Sequence, residues 1–311
     1  MRHIWKTYST VIVLIVMLGL FAIASPTTFF TVRNFHTVLF NQAVVCTLAF
    51  AVLFPLILGD FDLSLGYTLG FVVVVGAKCG AWGFTVVPTL TLMISAGIII
   101  GLVNAFFIVK CKISSFVVTL GVGTIVTGLS QGLSGGATIY QGVSSEIIAF
   151  GQERFFGVAY PIIVNGILAI LMFVLLKYLP LGRKMYAVGG SEKIAKMSGI
   201  NTEKVRVMCY ACSGFLASLG GIYQLGIAGS ANPSFGNSLL MPAYAAGFLG
   251  VVSFTPGRYN LWGTLVAVLI IGFGVSGILL MGAPLWIENA FSGVVLILAV
   301  LISKAEAKTS K

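Results

Sequence analysis

Hydrophobic residues occupy this chain in long blocks, and polar residues are confined to short stretches between them. A membrane-spanning helix needs about 20 mostly apolar residues. Runs of that kind fall at about 8–25, 38–58, 65–81, 84–109, 113–133, 158–179, 205–228, 239–254, 261–281 and 286–303. In hydrocarbon a helix satisfies its own backbone, so the pattern predicts an all-α polytopic membrane protein of about ten transmembrane helices. The third and eighth runs are short, and the fourth is long enough to overhang a bilayer. Residues 1–311 read as one transmembrane domain, interrupted by an extended polar, basic segment at 180–204.

Charge orients the spans. With the N-terminus placed inside, Arg2, Lys6, Lys110, Lys112, Lys177, Arg183, Lys184, Lys193, Lys196, Lys204, Arg206, Arg258, Lys304, Lys308 and Lys311 fall on one side. Only Arg33, Lys78 and Arg154 fall on the other. Cytoplasmic loops carry the Lys and Arg excess, so both termini are expected in the cytoplasm. The net charge of +10 then determines topology, and nucleic-acid binding becomes unnecessary. Arg2, Lys6, the apolar run from Val11 and Ala22-Ile-Ala24 also resemble a signal peptide. An uncleaved first span is the expectation, since multi-span proteins rarely need a cleaved leader.

Composition narrows the class further. The chain is 58% hydrophobic and 8% charged, where a soluble domain has about 25% charged residues. Five Cys, none in a long polar loop, give no disulfide framework. Cys209 and Cys212 lie in an apolar helical run and read as packing residues, while His3 and His36 lack further ligands for a metal site. No Gly-x4-Gly-Lys-Ser/Thr sequence is present, so no P-loop for ATP is expected here. No nucleophile–base set stands out, so the chain is read as a non-enzyme without a cofactor of its own.

The basic segment carries the clearest local signals. Ser191 is placed to N-cap a short helix, with Glu192 at the positive end of its dipole and Gly199 as a left-handed stop. Ile194 and Met197, three apart, share one face of that helix. About two turns do not persist alone in water, so a capped helix between spans with an apolar patch reads as a docking piece. An ordinary solvated cytoplasmic loop is the plain alternative.

Two polar breaks interrupt the apolar pattern. The second span ends in Gly59-Asp-Phe-Asp-Leu-Ser-Leu-Gly66. A carboxylate at bilayer depth costs about 2.5–3.5 kcal/mol on insertion scales, so Asp60 and Asp62 must face water, a cavity or the membrane edge. Asp62 is a natural cap for the following helix, and Gly66 permits close approach. The spacing of Gly59, Ser64, Gly66 and Leu69 recurs as Gly229, Ser234, Gly236 and Leu239, five spans later. An odd offset puts the copies on opposite sides of the membrane, the signature of an inverted five-helix repeat, whose breaks often frame a substrate route. The fifth span is studded with Gly, Ser and Thr, with Thr119, Thr124, Thr127 and Gln131 able to offer polar contacts. Asp62, Ser64, Gly66, Thr119, Asn232 and Ser234 are the candidate translocation-path residues.

Gly182-Arg183, Ala187, Gly189-Gly190, Ala195 and Gly199-Ile200 resemble the cytoplasmic loop of permeases in the ribose-type sugar ABC importer family. Asp62-Leu63-Ser64 with Gly66, Phe116-x-x-Thr119-Leu120-Gly121, Ser134-Gly135-Gly136 and Ser213–Ile222 resemble further family motifs in order. Leu181 and Ser191 stand where members often have Phe and Asn. Leu240 and Pro242 replace frequent acidic residues, and Pro242 is expected to kink or shift the eighth span. The resemblance implies a permease in a bacterial inner membrane, working as two copies or a related pair, with a coupling helix seated on a separate ATP-binding subunit. Arg183, Gly190, Ser191, Glu192, Ile194, Ala195, Met197 and Gly199 would make that coupling. ATP and Mg would be bound by the partner, and an extracellular or periplasmic solute-binding protein would deliver a monosaccharide or polyol. The loop at 137–157, with Glu146, Glu153 and Arg154, is the largest outward surface for it. Nucleosides or branched-chain amino acids, carried by neighbouring branches, stay open as solutes. A different class, a secondary transporter driven by an ion gradient through Asp60 and Asp62, also stays open.

Overall fold

A computed structural model describes residues 7–309; Arg2, His3, Lys6 and Lys311 lie outside the described residues. Among the described residues the chain forms thirteen α-helices. They are α1 (Ser9–Ala24), α2 (Val32–Leu58), α3 (Ser64–Ala81), α4 (Val86–Val109), α5 (Ser115–Ser134), α6 (Ser145–Gln152), α7 (Tyr160–Lys177), α8 (Pro180–Gly190), α9 (Glu192–Met197), α10 (Thr202–Ala228), α11 (Asn237–Leu249), α12 (Leu261–Leu280) and α13 (Ile287–Thr309). Seven of them, α2, α3, α4, α5, α7, α10 and α12, are long and apolar enough to cross a membrane. Shorter apolar helices at Ser9–Ala24, Asn237–Val252 and Ile287–Ile302 occupy the remaining three expected positions. The protein is an all-α polytopic membrane protein. The only strands among the described residues are β1 (Arg154–Phe155) and β2 (Val158–Ala159), a small antiparallel hairpin.

The chain divides into two compact units, and the larger runs from Phe50 to Leu240. Its centre is α10, packed on α4, α3 and α6. Small residues permit that approach: Gly97 of α4 meets Ser218 and the Gly214 carbonyl of α10, and Gly101 meets the Tyr210 carbonyl. Ile100, Ala105 and Ile108 of α4, Val118, Val122 and Val126 of α5, and Tyr210 close one buried cluster, with Tyr67 and Phe71 of α3 against it.

The other unit holds the described residues up to Ala49 and from Met241 onward. Here α12 packs on α1 and α13, around an aromatic cluster of Phe21, Phe29, Phe35 and Phe273. Asn260 organises the turn into α12. Its Oδ1 accepts from the Gly263 amide at 2.8 Å while its Nδ2 donates to the carbonyls of Gly250 and Ser253. Pro242 lies inside α11, which runs on to Leu249 and ends in a 3₁₀ turn at Gly250–Val252.

The repeat seen in four residues extends through the helices. The first break follows α2 and the second follows α10, and these helices are 27 residues each. Each is closed by a left-handed glycine, Gly59 (φ +80°) and Gly229 (φ +59°). Asp62 Oδ1 then accepts the Ser64 amide at 3.0 Å, and Asn232 Oδ1 accepts the Ser234 amide at 2.8 Å. Gly66 and Gly236, the next matched pair, lie against each other: a Cβ on Gly66 would stand 2.6 Å from the Gly236 oxygen, and one on Gly236 would meet the Gly66 oxygen. Equivalent residues touching each other is what a local two-fold axis produces.

Candidate functional site

The polar segment folds into two short helices rather than one. Leu179 is extended and Pro180 starts α8 at its first turn, where its missing amide costs nothing. Gly182 lets α8 approach the carbonyls of Leu175 and Leu176 at the end of α7, and Gly189 rests on the Ile57 carbonyl at the end of α2. Extended Ser191 separates α8 from α9. Its hydroxyl accepts the Ile194 amide at 3.4 Å, so the expected cap is present. Gly199 (φ +79°) turns the chain, with its amide on the Lys196 carbonyl and that of Ile200 on the Ala195 carbonyl. Asn201 Oδ1 then caps α10 by accepting the Lys204 amide at 2.9 Å.

One side of α9 faces the protein and the other faces out. Ala195 is 3% exposed, whereas Ile194 and Met197 are 65% and 79% exposed. Arg183 and Gly190 are exposed as well. Full burial of an Ile or Met side chain is worth about 1.5–3 kcal/mol, so this pair is an unsatisfied apolar patch on a rigidly capped peg.

The first break is closed by side chains from neighbouring helices. Ser115 and Thr119 of α5 accept the amides of Phe61 (3.2 Å) and Leu63 (3.0 Å), and Tyr210 donates to the Phe61 carbonyl at 3.4 Å. Asp62 is buried; it accepts from the amide and hydroxyl of Ser64, whose oxygen in turn accepts from Asn104 at 2.7 Å. Burial pushes the Asp62 carboxyl up to about 6, opposed by the Ser64 hydrogen bonds. Burial also raises Asp60, opposed by the Arg206 guanidinium.

Asp60 and Asp62 therefore do not form a pair. Asp60 Oδ2 is held by Arg206 Nε at 3.0 Å, and Arg206 Nη1 continues to Glu192 Oε2 at 2.9 Å. Glu192 also receives Lys196 at 2.7 Å and the Thr202 hydroxyl at 3.3 Å; chiefly the Lys196 hydrogen bond holds its carboxyl below the usual range. Asp60, Glu192, Lys196 and Arg206 line a cavity of about 760 Å³, together with Gly59, Lys112 and Ser115. Sequence reasoning counted Arg206 only as a topology charge. The one available signal was a base near the start of one span and an acid at the end of another, on the same expected side.

The second break is met by a loop. Ala231 exchanges both backbone hydrogen bonds with Ile139 at 2.8 Å, and Asn232 Nδ2 donates to Thr138 at 2.8 Å. Ser234 is exposed. Farther along that loop, α6 sits on the last turn of α10, where Gly151 touches Gly226 and Gln152 donates to the Ile227 carbonyl at 3.2 Å. The structure thus groups Asp62, Ser64 and Thr119 at one break and Asn232 with Ser234 at the other, with Gly66 on the contact between them. Among the described residues no group of His, Cys, Asp and Glu is arranged to hold a metal.

Residues 34–300 match the family described as branched-chain amino acid transport system / permease component. The ribose import permease protein of Bacillus subtilis is 32% identical over 292 residues, covering 94% of this chain and 90% of that relative. The xylose transport system permease protein of Haemophilus influenzae is 26% identical, covering 97% of each chain. The autoinducer 2 import system permease protein of Yersinia pestis is 30% identical, covering 78% of this chain and 74% of its own length. No solved structure matches the chain. Apolar helices at all ten expected positions and a family match across most of the sequence lead to one conclusion: the chain belongs to this permease-component family and is a membrane-spanning transport subunit.

Proposed function

We propose that this subunit carries a monosaccharide or a related sugar or polyol into the cell in an ATP-driven importer, with α9 as its coupling helix. Ribose and xylose in the names of full-length relatives support the solute class. The charge asymmetry supports a cytoplasmic side for α8, α9, the first break and both termini, and an outer side for the loop carrying α6 and the β1–β2 hairpin. On this reading two permease copies enclose the route, a solute-binding protein docks on the outer loops, and ATP and Mg are bound by the partner ATPase. The repeat is then inverted, and Asp62, Ser64, Gly66, Thr119, Asn232 and Ser234 frame the route.

The observation that carries the coupling reading is the exposed Ile194–Met197 pair on a helix whose other face, at Ala195, is packed. A partner groove gains the burial that the chain alone does not supply. Co-expression with the ATPase subunit and affinity purification tests it. Ile194→Asp with Met197→Asp is expected to weaken recovery of the complex on the order of 30-fold, as for loss of a central interface anchor. Unchanged recovery contradicts the proposal. Ion-gradient transport through Asp60 and Asp62 gains no support, since one carboxylate is paired with Arg206 and the other with Ser64.

A further inference from the structure

Four charged groups run in a line from the coupling helix to the end of α2. Lys196 and Glu192 belong to α9, Arg206 to α10, and Asp60 to the break that follows α2. Arg206 reaches its two carboxylates through different nitrogens, Nε to Asp60 and Nη1 to Glu192. A guanidinium presents donors in a fixed planar fork, which an ammonium cannot reproduce. The Asp60 and Arg206 side chains are 13% and 21% exposed, so solvent screens this link far less than the Lys110–Glu203 pair nearby, whose partners are 65% and 54% exposed.

The position of the link matters more than its strength. Asp60 directly follows Gly59, a left-handed residue with open space where a side chain would stand. Two residues later Asp62 holds the start of α3 through Ser64. Gly189 meanwhile abuts the Ile57 carbonyl at the last turn of α2. The loop thus grips the end of α2 at two points, one by packing through α8 and one by charge through α9.

We propose that Arg206 is a positioning residue that transmits displacement of α9 to the α2–α3 break, by holding Glu192 and Asp60 at fixed separation. The proposal rests on α9 being the coupling helix. Binding of the ATPase and movement of the break are then separate functions of one loop: Ile194 and Met197 hold the partner, while Glu192, Arg206 and Asp60 convey its motion. Cutting the line at Asp60 leaves the partner bound and hydrolysing but disconnects it from the solute route.

The test uses the complete importer in proteoliposomes and measures solute moved per ATP hydrolysed, normalised to ATPase-bound permease. Asp60→Asn leaves Arg206 on Glu192, and Glu192→Gln leaves Arg206 on Asp60, so neither strands the guanidinium. Each single variant is expected to lower solute per ATP about tenfold, within the usual range of coupling energies, and Asp60→Asn, which lies outside the coupling helix, is expected to leave recovery of the complex unchanged. The double variant is expected to fall no further, because a line cut once is already cut. Arg206→Lys is expected to restore only part of the ratio lost in Arg206→Gln. Wild-type solute per ATP in either single variant, or losses that multiply in the double variant, overturns the relay. A wild-type chain that recovers no ATPase at all overturns instead the coupling reading beneath it.

Discussion

The two breaks use the same backbone device and are wired to different things. Each begins with a left-handed glycine and an Asx side chain holding an amide two residues on. At the first, the chemistry is a buried carboxylate and an ion pair, and the partners are helices: Ser115 and Thr119 from α5, Tyr210 and Arg206 from α10. At the second, the carboxylate is replaced by the amide of Asn232, and the partners are Thr138 and Ile139 of a loop. The difference is that between an end fixed into the helical body and linked to α9, and an end closed by a surface segment. In the proposed importer the first receives force and the second meets solute.

The contact that the breaks share is the easiest place to destroy both. Gly66→Val drives a side chain into the Gly236 backbone, and is expected to destabilise by about 3 kcal/mol or more. Thermal unfolding in detergent checks this against Gly128→Ala, which meets nothing within 4 Å and is expected to be neutral or mildly stabilising, by at most about 1 kcal/mol. Similar midpoints for the two variants would show that the glycine contact is not needed.

The Asx residues sharpen the comparison. Asp62→Ala strands the amide and hydroxyl of Ser64 in a buried setting and is expected to cost about 1–3 kcal/mol. Asn232→Ala frees groups that water can reach, so about 1 kcal/mol or less is expected. Equal losses would erase the distinction between a helical and a loop-closed break. The smallest effect is on pH dependence. Asp62 is raised by burial to about 6 from 3.8, so the folded state binds this proton more tightly than the unfolded state. The penalty is absent below about pH 4, grows between about pH 4 and 6 and is fully present above that. The thermal midpoint should therefore climb as pH falls from about 6 to 4, and Asp62→Asn should flatten that slope; Asn232 offers no counterpart.

The apolar blocks made the helices legible, because a helix lets a single run of 18 or more apolar residues satisfy its own backbone in lipid. The ends of α9 were legible too, since Ser191 and Gly199 act on their own neighbours. Helix α8 was hidden by its glycines. Gly182 and Gly189 entered only through the family resemblance, yet they are the faces by which α8 reaches α7 and α2. Pro242 was expected to kink or shift its span, and α11 continues through it. Asp60 and Asp62, two apart in sequence, suggested one site. Their true partners, Arg206 and the Ser64–Asn104 pair, depend on which helices meet, which no local pattern states.

The central claim is that this subunit borrows its driving force through α9. Solute accumulation in proteoliposomes measures it directly, comparing the chain alone with the chain plus its ATPase and solute-binding protein. The account predicts no accumulation by the chain alone, ATP-dependent accumulation by the complex, and its loss in the Ile194→Asp, Met197→Asp variant. Accumulation against a gradient by the chain alone, or full ATP-driven accumulation by that variant, would contradict it.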